Sequence, residues 1–393
     1  MDSLQSIERH LRLIPLSPEL RQVMAVIRDR GGDAFVVGGA LRDWAWQPQN
    51  HDPASVDWDL ATNLSPDLMR DLAVRPHPGE RFGTFLLGSH IEATIMRREA
   101  GYSDGRHPSE IEPVTSIERD LSRRDFTVNA FAFDGQQLRW VEGGLEDLRD
   151  RCLRAVGDAS MRFQEDPLRM ARLIRLMGIS GAKADSSTWR AMQLHRSSLK
   201  QVSRERRLEE FVKFLRSPLD RWPLWRQAGM DDALDWPSPI PESSSHFVAA
   251  PSHPAAKIAA YFLSTNASLA DLDRWTRRWP LPRSWGSGLR ALLKASCYFD
   301  PDLWSQRARG SREPYVWIFR DLALAAGVAE DELDPVYLDL SSHELQEGWG
   351  LHGQRLGAAL GHLHGMVAVH PDWNHRQRLV SCLEAWLNET GGP

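Results

Sequence analysis

The spacing of hydrophobic positions changes period along this chain. A helical spacing begins at Ser17-Pro18 and stops at Gly31-Gly32, the Pro-first, Gly-last order that helices favour. An apolar run over 33–37 then predicts a short strand, and Gly38-Gly39 lead into a short helix. Residues 83–96 alternate around Gly88-Ser89-His90, while 126–133 and 138–141 flank the hairpin signal Asp134-Gly135. From about residue 158 the period is helical to the end, interrupted by the Pro- and Ser-rich stretch 237–245, which reads as a linker or long loop. The pattern predicts a mixed α/β head followed by helices, without repeats.

Length turns this into a multidomain expectation, since 393 residues exceed what one core usually holds. The 42% hydrophobic and 26% charged fractions are those of a globular chain, and no apolar run approaches the roughly 18 residues of a membrane span. Asp2 and Glu8, with no apolar core between them, argue against a secretory signal. Cys152, Cys297 and Cys382 are odd in number and widely separated, which predicts reduced thiols without disulfide partners in a cytoplasmic protein. Net charge is −5, yet residues 149–216 carry 16 Lys or Arg against 8 Asp or Glu. That local excess suits a polyanionic substrate or, equally, a solvated helix surface.

Two clusters carry candidate chemistry. In Val37-Gly38-Gly39-Ala40-Leu41-Arg42-Asp43 the glycines sit between strand and helix. There the backbone can approach a ligand, helix-start amides can face an anion, and Arg42 can reach the same phosphates. A plain strand-to-helix turn would use the same glycines. Further on, Val56-Asp57-Trp58-Asp59-Leu60 spaces two carboxylates so that a strand would present both on one face. Such a pair suits Mg²⁺, and two ions about 4 Å apart can activate a hydroxyl and neutralise the leaving oxygen of a phosphoryl displacement. Asp-x-Asp also serves exposed turns. Cradle and pair together point to nucleotidyl transfer.

A third cluster, Glu165-Asp166-Pro167-Leu168-Arg169-Met170-Ala171-Arg172-Leu173-Ile174-Arg175, opens a helix with acidic residues and repeats arginine every three positions. Charge alone fits a capped helix with surface ion pairs as well. With these clusters in order, the chain resembles the class II tRNA nucleotidyltransferases, the family of CCA-adding enzymes and bacterial poly(A) polymerases. The likeness also rests on Arg123-Arg124-Asp125-Phe126-Thr127-Val128-Asn129-Ala130, Gly143-Gly144-Leu145-Glu146-Asp147-Leu148 and Ser203-Arg204-Glu205-Arg206-Arg207-Leu208-Glu209-Glu210. It is dense from about 31 to 216 and returns weakly at Leu356-Gly357 and Pro371-Asp372-Trp373-Asn374.

The resemblance implies an α+β fold, with a polymerase-β-like nucleotidyltransferase head followed by all-helical neck, body and tail domains in an elongated, curved molecule. The implied bounds are a helical segment at 1–30, head at 31–150, neck at 151–217, body at 218–330 and a tRNA-binding tail at 331–393. Asp57 and Asp59 would be catalytic and hold Mg²⁺. The 3′ hydroxyl of the tRNA acceptor end would attack the α-phosphate of CTP or ATP, and pyrophosphate would leave without a covalent enzyme intermediate. Gly38, Gly39, Arg42, Arg124 and Asp125 would bind the nucleotide, and Glu92 is a further candidate carboxylate. Asp166 and Arg169 would read the base, with Arg172 and Arg175 supporting the nucleotide and Glu165 also binding it. Cytosine and adenine both offer an amino donor beside a ring-nitrogen acceptor, which one carboxylate and one guanidinium satisfy. Guanine and uracil reverse that pattern and would leave buried groups unpaired, at about 1–3 kcal/mol each.

The segment 97–108 resembles the family's flexible loop, which helps switch from CTP to ATP and which CC-adding relatives lack; a plain connector has a similar composition. With Gly79-Glu80-Arg81-Phe82-Gly83-Thr84, it implies CCA or A addition ahead of CC addition or poly(A) synthesis. The alternative from another class is an RNA-binding protein on an inactive scaffold, which the retained Asp57, Asp59 and Arg169 oppose. Departures from the family pattern are the long stretch 44–55, expected to be a surface insertion, Trp58 in place of an aliphatic residue, and Leu176-Met177 where an aromatic is common. His51-Asp52 is expected to be solvated. His352, His362 and His364 share no helical face, and the 16 tryptophans are expected mainly in cores.

Overall fold

The computed structural model describes residues 3–102, 108–236, 251–263, 269–294, 316–326, 328, 338–369 and 373–389. Two compact units emerge, one of Met1–Phe214 with Leu224–Leu234, the other of Leu215–Pro223 with Asp235–Pro393. Of the residues read as head and neck, 31–214 fall in the first unit and 215–217 in the second. Cys297, the stretch 237–245 and residues 371–372 lie outside the described residues.

The first unit opens with α1 (Leu4–Arg12) and α2 (Pro18–Asp29), capped by the hydroxyls of Ser3 and Ser17. Its six-stranded sheet has the order β3-β4-β2-β1-β7-β8. The strands are β1 (Ala34–Val37), β2 (Trp58–Thr62), β3 (Thr84–Gly88), β4 (Ile91–Ile95), β7 (Phe131–Phe133) and β8 (Leu138–Trp140). Within this sheet only β2 and β4 pair in parallel. Between β1 and β2 lies α3 (Gly39–Trp46), and α4 (Pro66–Leu72) follows β2. Of the expected loop at 97–108, residues 97–102 are strand instead: β5 (Arg97–Tyr102) pairs antiparallel with β6 (Pro108–Pro113), from Arg97↔Pro113 to Tyr102↔Pro108, and residues 103–107 are outside the described set.

The strand expected over 126–133 is shorter, because Asp125 captures the Phe126 amide and the Asn129 side chain and turns Thr127–Asn129 into a 3-10 helix. Helices α5 (Ile117–Ser122), α6 (Gly144–Asp150), α7 (Ala159–Glu165), α8 (Leu168–Ser180), α9 (Ser186–His195) and α10 (Arg204–Phe214) complete the principal elements. Phe35, Val37 and Ala61 of the sheet pack against Ile117 and Leu121 of α5, burying the apolar face of that helix. The neck is mostly helical with one departure from the expectation: β9 (Cys152–Leu153) and β10 (Lys183–Ala184) form a short parallel pair.

The second unit is helical in its described parts. Leu345, Leu360, Leu363, Leu379 and Leu383 build its C-terminal core. Trp236 packs edge-on against Tyr261 (5.0 Å) and Trp275 (4.9 Å), the core placement expected of most tryptophans. Among the described residues no helix is long and apolar enough to cross a membrane. Burial and the nearby Asp147 push the Cys152 thiol up to about 11, so it stays protonated at neutral pH.

Candidate active site

At the end of β1 the backbone turns through Gly38, whose φ of 81° lies in the left-handed region. A Cβ there would stand 3.1 Å from Asp59 Oδ2 and 3.6 Å from Arg124 Nη1, so only glycine lets the backbone meet both charges. At Gly39 a Cβ would meet the Arg42 guanidinium at 3.2 Å. Asp59 lies within β2, in register with Val37 of β1 and Glu92 of β4. Asp57 immediately precedes the strand, and both carboxylates line one cavity. Asp57 is held at the strand mouth: the Trp58 amide donates to the His90 carbonyl (2.7 Å), and His90 Nδ1 donates to Asp57 Oδ1 (3.0 Å).

Asp59 is open to the cleft, while packing on its flanks strips water from the carboxylate; the flanks decide its acidity. Burial raises its pKa to about 6, Arg124 opposes, and the charges of Glu92 and Asp57 add to the rise. Asp57 and Asp59, which line one cavity, offer the oxygen ligands that suit a divalent cation. Among the described residues no three His, Cys, Asp or Glu side chains stand ready as a preformed metal cage.

A cleft of about 490 Å³ opens here, lined by Asp59, Arg97, Arg124, Asp166, Arg169 and Arg206 among others. A second cavity, about 410 Å³, also reaches Asp59 and is walled by Gly39, Arg42, His51, Asp57 and Arg175. A larger one, about 660 Å³, lies among Arg12, Arg21, Arg28 and Phe133, far from this chemistry. Arg12 and Arg28 there donate to the carbonyls of Gln136 and Asp134. The paired carboxylates and the quoted motifs converge on the two smaller spaces, which make the better site.

The arginines are mostly committed. Arg124 donates to Asp120 (3.1 Å), a fully buried carboxylate that also holds Arg123 (2.7 Å). Burial alone would raise the Asp120 pKa, but the two guanidinium charges outweigh it and lower it. Arg42, expected on the triphosphate, is buried and donates to Asp43 (2.7 Å) and Asn129 (2.5 Å). Asp125 is likewise internal: burial would raise its pKa, yet Arg172 (3.0 Å) and Asn129 bring it to about 2. Arg175 is paired with Glu210 (2.6 Å). Arg172 and Arg175 of the basic segment therefore belong to an internal ion-pair network between α8, α10 and the head, while Arg190, Arg196, Lys200 and Lys213 remain exposed.

Asp166 and Arg169 both line the cleft. Arg169 donates to Glu165 (2.8 Å) and to the Arg162 and Arg123 carbonyls (3.0 Å each). Asp166 accepts from the Leu168 amide (3.1 Å) and from Arg206 (3.2 Å). Glu165 ends α7 instead of opening α8, because the Asp166-Pro167 corner breaks the helix between them. Sequence reasoning missed Asp120, Arg206, Glu210 and His90 as supporting groups. Asp120 had a signal, three and four residues before Arg123 and Arg124. Arg206 and Glu210 lay in a quoted motif, whereas His90 had no signal beyond its turn.

The stretch 44–55 is also more than a surface insertion. Trp46 is buried and donates from Nε1 to the Leu148 carbonyl (2.9 Å). His51 is half-buried and donates from Nε2 to the Pro15 carbonyl (3.4 Å). Burial lowers its pKa against the raising effects of Pro15, Asp43 and Asp52, correcting the solvated expectation.

Residues 34–154 match the poly A polymerase head domain. The CCA-adding enzyme of Streptococcus agalactiae is 38% identical over 234 residues, 57% of this chain and 55% of that protein. That of Lactobacillus helveticus is 36% identical over 204 residues, 51% of this chain and 50% of that protein. The first half of the chain is similar to the CCA-adding enzymes and carries a poly A polymerase head. The chain spans about half the length of these curated relatives. The fold agrees along nearly all of it. The Bacillus stearothermophilus CCA-adding enzyme in complex with CTP superposes with a TM-score of 0.69 at 22% identity, covering 95% of this chain and 99% of that one. The Thermotoga maritima CCA-adding enzyme complexed with tRNA-CCA gives 0.62 at 17% identity, covering 97% and 98%.

Proposed function

We propose that this chain adds the CCA end to tRNA in the cytoplasm, using CTP and ATP without a nucleic-acid template. The observation that carries this reading is that Asp59, crowded by Asp57 and Glu92, opens onto the same cleft as Asp166 and Arg169. Solved relatives with CTP and with tRNA support the substrate classes.

Asp57 and Asp59 hold a divalent cation in this account, Mg²⁺ by size and oxygen preference. When bound, it makes the 3′ hydroxyl more acidic and offsets charge on the departing pyrophosphate. The backbone at Gly38 and Gly39 and the Arg124 guanidinium hold the triphosphate. Asp166 accepts from the exocyclic amino group of cytosine or adenine, while Arg169 donates to the ring nitrogen. Glu165 and Arg206 fix those two groups, Asp120 fixes Arg124, and Asp125, Arg172, Arg175 and Glu210 hold the wall. Arg42 acts through Asn129 and Asp43 to shape the turn, in place of a direct grip on phosphate.

The test is Asp59→Ala: Mg²⁺-dependent extension of a tRNA lacking its CCA end disappears, while tRNA binding measured by filter retention persists. Undiminished extension removes the metal assignment.

A further inference from the structure

Trp58, placed between the two carboxylates, points away from Asp59 by strand alternation and is fully buried. Its Nε1 donates to the Pro53 carbonyl (3.1 Å), so the ring is fastened to the 44–55 stretch. His51 stands edge-on to it at 5.5 Å and edge-on to Trp44 at 5.2 Å. Trp44 stacks on His10 of α1 at 4.7 Å, nearly parallel at 4°. That last pair is locked by reciprocal bonds, Trp44 Nε1 to the His10 carbonyl (2.9 Å) and His10 Nε2 to the Trp44 carbonyl (3.2 Å). An unbroken row of four rings therefore runs from the N-terminal helix to the residue separating Asp57 and Asp59. The same stretch supplies Trp46, Gln47, Asn50 and His51 to the wall of the cavity containing both carboxylates.

We propose that the 44–55 stretch is an aromatic brace that fixes the spacing of Asp57 and Asp59, with His51 as its positioning residue; this rests on the metal role proposed for that pair. The departures at 44–55 and at Trp58 are then one device. The bulky ring needs the longer stretch to cover it, and the longer stretch gains an anchor at the strand mouth. Without the His51 ring, the 52–57 backbone is tied at fewer points and Asp57 samples more positions, which weakens a ligand pair more than it weakens the fold. Groups that hold metal ligands in place typically contribute about 10- to 100-fold to metal affinity.

The full-length chain and its His51→Ala variant would be titrated with Mn²⁺, counting unbound ion by electron paramagnetic resonance, with extension followed against Mg²⁺ concentration in parallel. His51→Ala is expected to weaken Mn²⁺ binding about tenfold and to raise the Mg²⁺ needed for half-maximal extension by a similar factor, with tRNA binding unchanged. His51→Phe, which keeps the ring edge, restores both to within about threefold; His51→Gln, which keeps only the hydrogen bond, does not. If His51→Ala does not fold, Trp44→Leu gives the same shift from the outer side of the row. Unchanged Mn²⁺ affinity, or a loss of rate equal at all Mg²⁺ concentrations with a lower melting temperature, overturns the brace. Asp59→Ala, measured alongside, separates the premises: if it still binds Mn²⁺ and extends tRNA, the metal reading itself fails.

Discussion

Asp59 draws its raised pKa of about 6 from burial and from Glu92 and Asp57, and this sets how the site responds to pH. A carboxyl whose folded pKa lies above its ordinary value of 3.8 keeps a proton that the unfolded chain releases, so its contribution to stability falls as pH rises from about 4 to about 6. A metal ion must displace that proton. Mn²⁺ affinity without nucleotide is therefore expected to rise about tenfold per pH unit up to about 6 and then level off; equal affinity at pH 5 and 7, by calorimetric titration, would contradict this. His90→Ala removes the imidazole that holds Asp57 and should weaken the same constant several-fold. Gly38→Ala should abolish extension, since φ of 81° and the Asp59 oxygen 3.1 Å from the new Cβ both oppose it. At this scale the motif residues were legible because their spacing encodes chemistry. Their tethers were not: His90 reaches Asp57 across 33 positions.

Among elements, the junction of α8, α10 and the head is held by Arg172 between Asp125 and Glu210 and by Arg175 on Glu210. Asp125→Asn removes one partner of a largely buried pair. Arg172 keeps some contact with cleft water, so the expected loss is about 2–3 kcal/mol in urea unfolding, below the roughly 3–5 kcal/mol of a fully buried pair. Because the Asp125 pKa is depressed to about 2, its stabilisation is present above pH 4 and is lost as pH falls from about 4 towards 2; the variant should lack that part of the acid transition. Arginine every third position marked a helix face, but charge could not say whether the face was wet. Only the packing of α10 against α8 shows that it is paired. Likewise the strand signal at 126–130 yielded to the side chain of Asp125, a local bond that period-two spacing does not encode.

For the whole molecule, the change of period near residue 158 separated sheet from helices, yet the compact units divide near Phe214 and Leu234. In the second unit Trp275 is fully buried against Trp236 and Trp279. Trp275→Ala should cost about 3–5 kcal/mol there and, in calorimetry, shift the transition of that unit while leaving the first unit's in place.

The central claim, template-independent CCA addition at the Asp57–Asp59 site, is tested most directly by incubating the protein with Mg²⁺, CTP, ATP and two tRNA transcripts, one lacking CCA and one ending in CC. Products are resolved at single-nucleotide length. The account predicts three residues added to the first and a single A to the second, both lost with Asp59→Ala. No extension of either transcript would contradict it and favour an RNA-binding role on an inactive scaffold.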